Sequence, residues 1–305
     1  MTTLETSAAA AGRVGAGPVG RRPADFLALT KPRVVLMVLV TTTVGFYLGS
    51  WGGVAGLRLL HTLLGTALAA AGTIALNQYL EREGDALMQR TRQRPLPGGR
   101  LHPTEALAFG VLITAGGLVY LSLAVDPLSA MVNAVTVATY LFLYTPLKRR
   151  TTLCTLAGAV AGALPPVTGW VAARGEFGVG AGILFAILFL WQIPHSLAIA
   201  RVYREDYARA GIRLLPVVEP DGASTGRQVV SYCLVLLPVG LLPTAIGLAG
   251  SIYFFAAFIL GTAFLASGIA LARSRTLAAA RRLVTVSLVY LPAVLLHMAA
   301  DKVRF

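Results

Sequence analysis

The chain has 305 residues, of which 56% are hydrophobic and only 13% charged. Soluble domains carry roughly 25% charge, so this composition excludes an ordinary soluble globule and marks an integral membrane protein. The net charge of +13 does not mark a nucleic-acid binder, because the basic residues lie in short loops between apolar runs, where they set topology.

Residues 1–24 are rich in Ala, Gly, Arg and Pro and read as a disordered tail. No apolar core precedes residue 26, which argues against a signal peptide. Asp25 to Thr30 suits a short interfacial helix, and Pro32 suits the first position of a span. Residues 25–305 then read as one all-α polytopic domain. Runs of about 20 apolar residues, the length that crosses a bilayer, fall at 33–51, 60–81, 104–124, 127–146, 152–172, 179–200, 229–248, 251–272 and 280–299. Asp126-Pro127 reads as an N-cap and first helical residue. Only Gly250-Ser251 divides the seventh span from the eighth.

Nine spans put the chain ends on opposite sides. Of the 26 Lys and Arg residues, 22 fall on the side of the N-terminus and four on the other: Arg58, Arg174, Lys302 and Arg304. That asymmetry places the N-terminus in the cytoplasm and the C-terminus outside, with the chain in the cell membrane. Cys154 and Cys233 sit in apolar runs and make neither a metal spacing nor a disulfide framework.

Polarity arrives abruptly at the end of the second span. Asn77, Glu81 and Asp85 are spaced i, i+4 and i+8, so a helix carries all three on one face. Such oxygen donors suit a hard cation, Mg²⁺, shared with a substrate phosphate. Arg90, Arg92, Arg94 and Arg100 follow and suit phosphate oxygens. A capped helix end with solvated charges is the alternative. A second cluster, Tyr203-Arg204-Glu205-Asp206-Tyr207, follows the sixth span after Trp191-Gln-Ile-Pro-His195. Two acidic clusters facing one cavity would hold two Mg²⁺ ions on one diphosphate and promote its departure. A diphosphate leaves readily only from a carbon that bears positive charge, such as an allylic one. No GxxxxGK[ST], HExxH or GxSxG is present.

The stretch from Asn77 to Arg100 resembles the first signature of the haem O synthase (protohaem IX farnesyltransferase) branch of the UbiA-type intramembrane prenyltransferases. Leu29-Thr-Lys-Pro-Arg33, Tyr144-Thr-Pro-Leu-Lys148, Gly162-Ala-Leu-Pro-Pro166, Trp191-Gln-Ile-Pro-His195 and Tyr203-Arg-Glu-Asp-Tyr207 are similar to its other motifs, in order. The likeness runs from about residue 25 to 300. It implies nine transmembrane helices around a central cavity and Mg²⁺-dependent binding of a prenyl diphosphate. It further implies transfer of farnesyl from farnesyl diphosphate to the 2-vinyl group of haem B, with addition of water, giving haem O and diphosphate.

The resemblance assigns Asn77, Glu81 and Asp85 to Mg²⁺ and diphosphate, with Glu205 and Asp206 as the second acidic group. Arg90, Arg94, Lys148 and Arg204 become candidates for diphosphate or haem propionates. Tyr203 and Tyr207 stand where relatives carry an acidic pair, and Cys154 stands where the branch usually has Asn. His195 is a candidate axial ligand of haem iron. Phe46, Tyr79, Tyr144, Trp170 and Trp191 are candidates for a prenyl tunnel, or anchors at the membrane interface. Two other readings remain open: a prenyltransferase for an aromatic quinone precursor, and a transporter, which would place its charges near the bilayer centre.

Overall fold

The computed structural model describes residues 22–303. The first 21 residues of the expected tail lie outside that range. Arg22 to Ala24 belong instead to the first helix, α1 (Arg22–Thr30).

Among the described residues, nine helical stretches are long and apolar enough to cross a membrane. The first two spans are α2 (Pro32–Gly49) and α3 (Gly56–Leu87). After α4 (Pro103–Ala124), the fourth span joins α5 (Pro127–Ala138), a π-helical turn (Thr139–Tyr144) and α6 (Thr145–Leu147). The fifth joins α7 (Cys154–Ala163) to α8 (Pro165–Arg174), broken at Leu164 where Pro165 and Pro166 cannot continue the hydrogen-bond ladder. α9 (Val179–Val202) is followed by the short helices α10 (Arg204–Arg209) and α11 (Leu215–Val218), then by α12 (Ala223–Ala245), α13 (Ser251–Ser274) and α14 (Leu277–Ala300).

Local chemistry explains the boundaries. Asp126 caps the fourth span by accepting from Ser129 N at 2.7 Å, and Pro127 supplies the fixed φ of a first helical residue. His102 and Glu105 form a capping box at α4. α3 runs six residues past the expected end at 81 and so carries Asp85 on the same helix. The weak division after the seventh span is tied down by the chain end: Gly250 N donates to Asp301 O at 2.9 Å, and Tyr253 N to Asp301 Oδ2 at 2.8 Å.

Glycine permits the tightest crossings. A Cβ on Gly45 would lie 2.0 Å from Pro166 O, and one on Gly169 would lie 1.9 Å from Thr42 O, so α2 and α8 touch backbone to backbone. α3 packs on α4, α9 on α7, α12 and α14, and α14 returns to α2. The closed ring leaves a cavity of about 550 Å³. Its wall is built from α2, α3, the fourth span, α7, α9 and α14, whereas α4, α12 and α13 back these helices without lining it. Large apolar side chains such as Leu112, Leu123 and Phe142 face outward, where lipid replaces water as the apolar surroundings.

Candidate active site

The polar residues of the α3 end are not loose in solvent. Asn77 and Asp85 are buried and Glu81 is half-buried. Each is held by a different partner. Asn77 Nδ2 donates to Thr145 Oγ1 at 2.9 Å, leaving its Oδ1 available. Thr145 in turn donates both its hydroxyl and its N–H to the Tyr140 carbonyl, which the π-turn has opened. Glu81 pairs with Lys148 at 2.7 Å, and Asp85 with Arg94 at 2.5 Å. Lys148 also sits 4.2 Å above the Tyr144 ring.

Lys31 completes this group, and the pattern of the sequence had not singled it out. It links α1 to α2 in the left-handed conformation, φ 48°, a strained state for a residue with a side chain. That geometry turns it toward the end of α3. Burial first, and the nearby positive charge of Arg94 second, lower its ammonium to about 8 against the pull of Asp85 and Glu81.

The second acidic cluster has another role. Asp206 accepts from Gln89 N at 3.2 Å and Arg90 N at 3.3 Å, and it pairs with Arg209. Burial opposes its charge, but these donors more than reverse that and hold the carboxyl below its usual range. Its oxygens are therefore committed to fastening residues 88–90 to α10. Met88 packs with Ala210 and Ile212 beneath the same contact. Glu205 is exposed. The expectation that Glu205 and Asp206 ligate a second metal is corrected: one faces solvent and the other clamps a loop. Asp206 is likewise a positioning group rather than a catalytic one.

Other assignments divide. Arg90 lies over Tyr203 and Tyr207, 5.2 and 5.9 Å from their ring centres. Tyr207 lines the cavity, whereas Tyr203 is exposed beside it. Arg204 is withdrawn from the site, because its guanidinium donates to Pro220 O at 3.4 Å. His195 lines the cavity. Of the five aromatic candidates only Tyr144 and Trp191 do so; Phe46, Tyr79 and Trp170 pack in apolar clusters or between helices.

Among the described residues, no three of His, Cys, Asp and Glu gather as a metal-binding group. The remaining donor set still suits Mg²⁺, which typically takes one or two carboxylates and completes its shell with water and substrate phosphate. Glu81, Asp85 and the free Oδ1 of Asn77 supply hard oxygens on one helix face. The cations Lys31, Arg94 and Lys148 stand around them, as a diphosphate would require.

The arrangement is thus a charged chamber at the basic end of the bundle, above a large apolar cavity. The family model described as the UbiA prenyltransferase family matches residues 38–291. A protein named protoheme IX farnesyltransferase from Solibacter usitatus is 50% identical over 91% of this chain and 98% of its own length. One of the same name from Salinibacter ruber is 44% identical over 91% and 98%. Solved structures agree in fold. A digeranylgeranylglyceryl phosphate synthase superposes with TM-score 0.78 at 17% identity, over 92% of this chain and 98% of that one. A UbiA homologue from Archaeoglobus fulgidus, solved with GPP and Mg²⁺, gives 0.66 at 16% identity, over 90% and 99%. Sequence, fold and the placement of charge lead to one conclusion: the chain belongs to the UbiA prenyltransferase family.

Proposed function

We propose that this enzyme transfers farnesyl from farnesyl diphosphate to a vinyl group of haem B, with addition of water, giving haem O and diphosphate. The observation that carries the reading is the junction between two environments. Lys31, Glu81, Asp85, Arg94 and Lys148 form a charged chamber, and the apolar cavity of about 550 Å³ adjoins it. A diphosphate suits the first and an isoprenoid tail the second. The name shared by relatives at 39–50% identity supplies the acceptor.

The bond changes balance as follows. The allylic C1–O bond of farnesyl diphosphate breaks and its electron pair leaves with diphosphate. C1 joins the terminal vinyl carbon, the inner vinyl carbon becomes cationic, water adds there, and one proton is released. When bound, Mg²⁺ would neutralise charge on the leaving diphosphate; Asn77, Glu81 and Asp85 are the residues that would hold it. Lys31, Arg94 and Lys148 orient the diphosphate oxygens. Tyr140 and Tyr144 present ring faces where the allylic carbon gains charge. The apolar wall keeps bulk water from the cation until the acceptor has reacted.

The bundle sits in the cell membrane with its basic end in the cytoplasm. Purified protein given haem B, farnesyl diphosphate and Mg²⁺ should yield haem O by mass, and chelation should stop it. Prenylation of a quinone precursor with haem B untouched would overturn the assignment.

A further inference from the structure

His195 borders the cavity from α9, one residue after Pro194. Its Nδ1 lies 2.6 Å from Oγ of Ser287 on α14. The same Oγ lies 2.7 Å from the carbonyl oxygen of Val284. A carbonyl can only accept, and a serine hydroxyl has one proton. Were that proton given to the imidazole, two oxygen lone pairs would meet at this second contact. The proton therefore goes to Val284, and His195 donates Nδ1–H to Ser287.

Trp191 fixes the ring plane. It precedes His195 by one turn and stacks on it, with centres 4.8 Å apart and planes 15° apart. Its own Nε1–H donates to the Ser287 carbonyl at 2.9 Å. Ser287 thus receives both side chains, one at its hydroxyl and one at its backbone. It is fully buried, so neither contact competes with solvent.

An imidazole protonated at Nδ1 carries its lone pair on Nε2. Nε2 has no hydrogen-bond partner among the described residues, while His195 stays partly open to the cavity. Histidines that ligate metals show this arrangement: the far N–H anchored, the near nitrogen free. Iron in a flat tetrapyrrole accepts such a ligand.

We infer that Ser287 and Trp191 are positioning residues that fix the tautomer and ring plane of His195, so that Nε2 ligates the iron of the haem substrate. The inference rests on the reading of the cavity as a haem site, and its test separates the two. The full-length protein is titrated with haem B, and the iron–imidazole stretching band of the ferrous complex is recorded. His195→Ala should abolish the band, and free imidazole should restore it. Ser287→Val and Ser287→Thr have the same shape and differ in the hydroxyl, so packing effects cancel between them. The Val variant should bind haem roughly 10- to 100-fold more weakly than the Thr variant, the scale for a lost ligand-orienting partner. Its band should also move to lower frequency, because Nδ1–H has lost its acceptor. Equal bands and affinities in the two variants would overturn the role of Ser287 while leaving ligation by His195 intact. An unchanged spectrum in His195→Ala would overturn ligation and positioning together, with haem still bound. Failure of the wild-type protein to bind haem would remove the haem reading itself.

Discussion

Lys148 Nζ lies 2.7 Å from Glu81 Oε1, with 13% and 19% of the two side chains exposed. One turn along α3, Asp85 pairs with Arg94, and the carboxylate is almost wholly buried. Each acidic group offered to a cation is thus already balanced by a base. Arrival of a cation together with a diphosphate allows an exchange of partners. The carboxylates turn to the cation and the bases to the phosphates, so no charge is left buried alone.

Asp85→Asn should lower turnover by at least ~10²-fold, the scale for losing one preorganised electrostatic group. It should also destabilise the protein, because Arg94 loses its partner in a largely buried place; breaking such pairs costs about 3–5 kcal/mol. Adding Arg94→Met should recover part of the stability and none of the rate. Thermal unfolding and turnover on the same preparations check both. Near-normal turnover in Asp85→Asn would exclude it from the mechanism.

Lys31 should make diphosphate binding depend on pH. In the free protein it titrates near 8, so it is neutral above that pH. A bound diphosphate raises it again, so binding between about pH 8 and 10 should take up a proton, and affinity should fall as pH rises. Calorimetry in buffers of different ionisation enthalpy measures the uptake. Lys31→Arg should abolish it, because guanidinium stays charged. The sign for stability is opposite. The folded value lies below the ordinary 10.5, the unfolded chain binds more protons between the two, and Lys31 favours folding more as pH rises through that window.

Asp206→Asn should loosen the 88–90 segment rather than remove a metal ligand. The amides of Gln89 and Arg90 should exchange with solvent faster, while affinity for Mg²⁺ in the presence of diphosphate changes little. Because the folded carboxyl is depressed, the wild-type clamp is in place at neutral pH. It is lost as pH falls below the usual value near ~3.9 and through the folded one. Unchanged exchange at both amides would contradict the clamp.

A reporter inserted near Gly98 should be cytoplasmic, and one fused after Phe305 should be extracytoplasmic. Agreement of the two reporters on one side would contradict an odd number of crossings.

The spans were legible because a bilayer demands about 20 apolar residues and nothing subtler. The i, i+4, i+8 spacing of Asn77, Glu81 and Asp85 was legible for the same local reason. What joins distant positions was not. Lys31 reaches the α3 end through a backbone twist that no periodicity reveals. Asp206 looked like a ligand because a carboxylate beside arginines does, and only the fold shows its oxygens taken by two amides and Arg209. Ser287 sits in an apolar helix 92 positions from His195, with no feature of its own to mark it.

The π-helical turn over Thr139–Tyr144 makes the site sensitive to chain length rather than to chemistry. Such a turn holds one residue more than an α-helix would. Deleting any one of its residues would allow a regular helix, and everything after it would rotate by about 100°. Thr145 would leave Asn77, and Lys148 would leave Glu81, although no charged residue had been touched. A deletion of a single lipid-facing residue such as Phe142 should therefore cost more activity than replacing it with alanine, and two sequences of equal composition here would differ in whether the two halves of the charged chamber meet at all.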